Sequence, residues 1–141
     1  MKIKTIKKSK SKNKVFNGDN LKVMNLIQDE YKNKVDVIYI DPPYNTGKSK
    51  MGKYSDNFGG HENWSNFIEP RLELAKKFLS KKGLIFISIN EYEYAYLKIL
   101  CNKIFGEENF VSSIIWQCKY TVSNDKKGIT AQTEYILCYA K

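Results

Sequence analysis

The sequence predicts an α/β fold, part of an α/β sheet that ends in an antiparallel hairpin. Three observations predict it. Val35 to Ile40 (VDVIYI) and Leu84 to Ile89 (LIFISI) are short runs rich in β-branched residues, too short for buried helices and suited to strands covered on both faces. Between them Trp64, Phe67, Ile68, Leu72, Ala75, Phe78 and Leu79 recur at helical spacing, the pattern of a crossover helix joining parallel strands. Finally, VSSIIWQCK and TEYILCYAK are strand-like runs joined by the polar stretch Tyr120 to Gln132, which contains Ser123, Asn124 and Asp125; they predict a hairpin at a sheet edge.

Taken in order, Met1 to Lys14 carries seven lysines and almost nothing to bury, so residues 1–14 are expected to be a basic flexible tail. It either attracts nucleic-acid phosphates or is simply solvated. The folded part is expected over 15–141, opening with a short strand at Val15 to Asn17. Asp19 then caps a helix whose apolar side is Leu21, Met24, Ile27 and Tyr31. In the crossover helix Pro70 predicts a kink or a junction. Lys81, Lys82 and Gly83 are expected to close that helix, the lysines at its negative end and the glycine in a left-handed cap. A last helix is predicted on Leu97, Leu100, Cys101 and Ile104, stopped by Gly106.

The chemistry is concentrated after the first strand. Asp41 falls at its carboxyl end, the edge where open α/β sheets bind ligands. Pro42 and Pro43 fix φ and extend the residues before them, so Asp41, Pro42 and Tyr44 form a nearly rigid row before Asn45, Thr46 and Gly47 turn the chain. A fixed carboxylate and the Pro42 carbonyl suit the hydrogens of a nucleobase amine, a poor nucleophile until acceptors draw its nitrogen towards tetrahedral geometry. Tyr44 suits stacking on a base swung out of a duplex. The following stretch, Lys48 to Asn63, is polar and glycine-rich. It reads either as a plain loop or as one that closes over an extruded nucleotide, with Tyr54 or Phe58 touching the base and Lys48, Lys50 and Lys53 meeting phosphates.

Other candidates are weaker. Asn90 and Glu91 lie on the same rim as Asp41, although Glu91 and Glu93 also read as a cap or a solvated first turn. His61 is the one histidine and reads as a surface or capping group. Cys101, Cys118 and Cys138 show no metal-ligand spacing, so no metal is expected, and an odd count of scattered thiols suits a reduced, cytoplasmic protein. No run approaches the length of a membrane span. The chain of 141 residues has 24 Lys+Arg against 15 Asp+Glu, a net charge of +9. That balance suits a polyanionic partner. Arg71 is the lone arginine among lysines, however, and such lysine bias also follows from an A+T-rich genome.

DPPY followed by NTG, after VDVIYI and a preceding GDN, resembles the motif of DNA amino-methyltransferases of the DPPY type. The likeness is nearest to the adenine-specific modification subunits of type III restriction systems. It continues through WSNFIEPRLELAKKFL, GLIFISIN, LKILCNKIFGEENF and EYILCYAK, nearly everything after residue 15. The resemblance implies a partial S-adenosylmethionine-dependent methyltransferase sheet of Rossmann-like type. It implies Asp41, Pro42, Pro43 and Tyr44 as the catalytic row, and Asp19, Asn20 and Asp41 as contacts to S-adenosylmethionine. Methylation of adenine N6 in double-stranded DNA, within a restriction-modification system, is the activity implied, with a restriction subunit as a candidate partner. The glycine-rich FxGxG-like segment of that family is absent, since none of the eight glycines forms a GxG. The chain is therefore expected to lack the cofactor-binding half, to need a polypeptide supplying it, and to leave an apolar strand edge open. A truncated inactive remnant and a DNA-binding module without chemistry are the alternatives.

Overall fold

A computed structural model describes residues 13–50, 54–118, 120 and 132–141. The expected tail therefore lies almost wholly outside the described residues, as does most of the Tyr120 to Gln132 connection. The first element is helix α1 (Asn20–Tyr31), capped by Asp19, whose Oδ1 accepts the Lys22 amide at 3.0 Å. Residues Val15 to Asn17 form no strand, contrary to expectation. The run is short and pairs with no strand among the described residues, whereas Phe16 finds its place packing beneath α1.

Strand β1 (Val35–Ile40) follows, then a small antiparallel ribbon of β2 (Lys48–Lys50) and β3 (Tyr54–Asp56). Helix α2 (His61–Phe78) leads directly into β4 (Leu79–Ile89). Helix α3 (Glu91–Phe105) is capped by Asn90, whose Oδ1 accepts the Tyr92 amide at 3.1 Å. A single 3-10 turn at Glu107–Asn109 precedes the hairpin of β5 (Phe110–Gln117) and β6 (Thr133–Ala140). The sheet order is β1-β4-β6-β5, with β1 parallel to β4 and β6 antiparallel to both its neighbours. The partial α/β sheet and its terminal hairpin are thus as predicted, with β5 as the hairpin's edge strand.

One face of this sheet carries the core. Ile85, Ile87 and Ile89 alternate along β4, pair beside Tyr139, Leu137 and Tyr135 of β6, and meet Trp64, Ile68 and Leu72 of α2 and Leu97, Cys101 and Phe105 of α3. Each fully buried isoleucine contributes roughly 2 kcal/mol. Helix α1 adds a smaller cluster, Val23 and Ile27 against Phe78.

The other face departs from the prediction. The first strand is covered on one side only: Val37 and Tyr39 are 61% and 60% exposed, while Ile38 and Ile40 pack into the core. The cause is topological, for β1 is an edge strand and no helix among the described residues lies over Val37, Tyr39, Ile114 or Trp116. The open edge itself was expected.

Two local readings also change. The crossover helix runs through Pro70 to Phe78 without interruption, and Lys81, Lys82 and Gly83 belong to β4 rather than to a helix cap. Between the pairs Val35–Leu79 and Val37–Leu84, β4 spends Ser80 to Gly83 where β1 spends only Asp36. In that bulge a side chain at Gly83 would sit 2.9 Å from both Leu79 Cδ2 and the Val35 carbonyl. Close approach, not a left-handed turn, requires the glycine.

Candidate active site

β1 delivers Asp41 to its carboxyl end with the carboxylate exposed, and the buried Pro42 anchors the row behind it. Ser88, nearly the last residue of the adjacent parallel strand, donates to Asp41 Oδ1 at 2.7 Å. Parallel pairing of β1 with β4 makes this contact, because it brings the two strands' carboxyl ends side by side. The indole N–H of Trp64, a side chain with no exposed surface, donates to the Pro43 carbonyl at 2.7 Å. Among the described residues no donor reaches the Pro42 carbonyl, so that acceptor is left for another group.

Tyr44 enters the same space. Its hydroxyl lies 3.5 Å from Glu134 Oε2 on β6. Burial raises its pKa well above the usual phenol range; a hydrogen bond with Ser88 opposes the shift, and the negative charge of Asp41 adds to it. The phenol therefore stays neutral. Tyr39, Asp41, Tyr44, Ser88, Trp116 and Glu134 line a cavity of about 490 Å³ that opens onto the uncovered face of the sheet. It offers two carboxylates, hydroxyls and aromatic rings, a set suited to a flat heterocycle bearing an amine. Another hollow, about 530 Å³, is walled by Lys32, Glu69, Glu73, Lys76 and Lys103 and shares no residue with the first.

The turn after Tyr44 is held from several sides. Asn45 adopts a left-handed φ of 54°, a conformation that asparagine tolerates better than most residues. Its N–H donates to Asp56 Oδ1 at 2.9 Å, its Oδ1 accepts the Phe58 amide at 2.9 Å, and its Nδ2 donates to Glu93 Oε1 at 2.6 Å. Asp56, 8% exposed, also accepts from the Thr46 amide at 3.0 Å and the Thr46 hydroxyl at 2.6 Å.

Glu93 corrects the reading of its helix turn as capped or solvated, for it has no exposed surface. Helical spacing turns it towards the loop instead of outwards. His61 lies at the surface, as expected, but is partnered there: its Nδ1 is 2.8 Å from Glu93 Oε1, and its ring stacks on Tyr96 with centroids 3.9 Å apart. Asn90 serves as a helix cap and Glu91 faces outwards.

Asp19 and Asn20 do not line the Asp41 cavity. Asn20 Oδ1 accepts from Arg71 Nε at 2.8 Å, and Asp19 Oδ2 lies 3.6 Å from the same guanidinium. Phe58 is half-buried against Phe67, with ring centroids 5.0 Å apart. Lys53, and the side chains of Lys48, Lys50 and Tyr54, lie outside the described residues. Ser88, Asp56, Trp64, Glu93, Trp116 and Glu134 were not legible as site residues, because each is brought to the row by pairing or packing that no local spacing announces.

Residues 35–141 match the family model described as DNA methylase. The Mod subunit of the type III restriction-modification enzyme StyLTI from Salmonella typhimurium is 41% identical, aligned over 97% of this chain and 25% of its own length. The type II methyltransferase M.KpnI from Klebsiella pneumoniae is also 41% identical, over 90% of this chain and 32% of its own. The chain thus spans about a quarter to a third of the relatives it matches. Among solved structures, TTHA0409 of Thermus thermophilus, complexed with S-adenosyl-L-methionine, superposes with a TM-score of 0.64 at 18% identity, covering 88% of this chain and 53% of that one, which bears out the fold. With the matched region opening at the head of β1 and enclosing the whole Asp41 row, the chain belongs to the DNA methylase family.

Proposed function

We propose that this chain forms the amine-activating part of an adenine-specific DNA methyltransferase, with S-adenosylmethionine as methyl donor and double-stranded DNA as substrate. The observation that carries the reading is Asp41, fixed by Ser88 in a cavity it shares with Tyr44. Asp41 and the Pro42 carbonyl take the two hydrogens of the adenine N6 amine, which concentrates the lone pair on nitrogen. Tyr44 stacks on the extruded base. As nitrogen gains its new bond it becomes cationic, and the Asp41 carboxylate stabilises that charge and stands ready to take the departing proton.

The cofactor supplies an electrophilic methyl group when bound. Asp41 presents an exposed carboxylate suited to its ammonium or hydroxyls. Asp19 and Asn20, exposed but held by the α1 cap and Arg71, are the further proposed contacts, with the rest of the cradle proposed to come from another polypeptide segment. Lys48, Lys50, Lys53, Tyr54 and Phe58 are the proposed contacts to DNA, and a restriction subunit is a proposed partner, as the name of the StyLTI relative suggests.

The test grafts residues 15–141 into the StyLTI Mod subunit in place of the aligned segment. Host DNA is then digested and its N6-methyladenine measured by mass spectrometry. Methylation by the graft, abolished by Asp41→Ala, is the expected result. A soluble graft that methylates nothing, or whose Asp41→Ala form is equally active, overturns the reading.

A further inference from the structure

We propose that Glu93 is a positioning residue for the Asp41 row, and that the junction of β4 with α3 grips the row at both ends. This rests on the function proposed above. Ser88, near the end of β4, holds Asp41, and Glu93, in the first turn of α3, holds Asn45. The two grips are separated by one short, continuous piece of chain that passes through the Asn90 cap. The spacing of the grips therefore sets the spacing of what they grip, the carboxylate at one end and the turn after Tyr44 at the other.

The state of Glu93 argues for such a duty. Its side chain is entirely buried, Oε1 takes both Asn45 Nδ2 and His61 Nδ1, and Oε2 has no partner among the described residues. Burying a carboxylate with half its acceptors unused is unfavourable, and a leucine there would pack at lower cost. What the carboxylate provides is direction. Its two donors come from different elements, the catalytic loop and the start of α2. The same α2 sends Trp64 to the Pro43 carbonyl. The His61 ring, stacked on Tyr96 of α3, fixes the angle from which its N–H reaches Oε1. α2 and α3 are thereby tied to each other and to both flanks of Tyr44. Asp56 supports the loop from below through the Asn45 and Thr46 amides, but it belongs to the small ribbon and not to the sheet that carries Asp41. The Glu93 contact refers the Asn45 turn to the junction of β4 with α3.

The experiment measures hydrogen exchange by NMR on the 141-residue chain. Its reporters are the Thr46 amide and the Trp64 indole N–H, referenced to the Ile85 and Ile87 amides of the core. Glu93→Ala should speed both reporters about tenfold relative to the core, the factor that goes with one lost hydrogen bond. Glu93→Gln, which keeps an acceptor for Asn45, should restore them to within about threefold. If Glu93→Ala does not fold, Asn45→Gly decides, since glycine accepts the left-handed φ and removes the same contact. Reporters unchanged in a folded Glu93→Ala or in Asn45→Gly overturn the proposal.

In the grafted enzyme, Glu93→Ala should lower kcat about tenfold or more with KM for DNA unchanged, and Glu93→Gln should recover most of it. An Ala variant with loosened reporters but full kcat overturns the positioning role. If the unsubstituted graft is inactive while exchange responds as expected, the methyltransferase reading fails and the grip on the loop stands.

Discussion

The indole of Trp64 donates to the Pro43 carbonyl at 2.7 Å from a side chain with no exposed surface. A residue whose helical spacing marks it as core is therefore also a support of the Asp41 row. Trp64→Phe keeps most of the apolar contact and leaves the carbonyl without its donor. It should lower stability by about 2 kcal/mol, read as a shift of the urea midpoint at unchanged slope.

Asp56 gathers three donors from Asn45 and Thr46 while almost fully buried. Asp56→Ala leaves two amides and a hydroxyl unsatisfied. A loss of roughly 3 kcal/mol is expected, measured by denaturation, and Asp56→Asn should lose clearly less because one acceptor persists.

The cysteines should separate by reactivity. Burial pushes the Cys101 thiol up to about 12, partly offset by the Lys98 charge, and burial also raises Cys138. Cys118 is exposed. Since the thiolate is the reacting form, Cys101 holds almost none of it near neutral pH. Alkylation at mildly alkaline pH followed by peptide mass spectrometry should find Cys118 modified in the native chain and Cys101 only after unfolding.

Val37 and Tyr39 project from an edge strand, on the face that also exposes Ile114 and Trp116. Unpaired strand edges with apolar side chains promote association. Light scattering should show the chain growing in mass with concentration, and Val37→Lys should reduce the growth. A chain that stays monomeric at high concentration contradicts this.

Much of the fold can be read from local patterns. Helix α1 is announced by Asp19 and its apolar spacing, β4 by LIFISI, and the hairpin by two runs around a polar connection. Local patterns fail where non-local partners decide. Nothing in VDVIYI states that one face goes uncovered, because coverage depends on which neighbours the sheet has. Gly83 looks like a helix cap because lysines precede it, yet its need comes from Val35 across the sheet. For the site, the Asp41 row is legible because proline rigidity is a local property. Glu93 is not, because a glutamate in a first helical turn is usually solvated, and only the meeting of α3 with the Asn45 turn encloses it.

The interior place of β6 has a consequence for how the chain acquires its shape. β6 lies between β4 and β5, although it comes after both in sequence. While the ribosome has yet to release residues 133–140, β4 has no partner on that side and β5 has none at all, so the hairpin cannot seal the isoleucine face. Leu137 and Tyr139, wholly buried, are made after the strands they pair with. Folding of this segment is then a late, non-local event, slow by the ordinary relation between contact order and rate. Until it happens the nascent chain shows its apolar strands to whatever chaperones attend it.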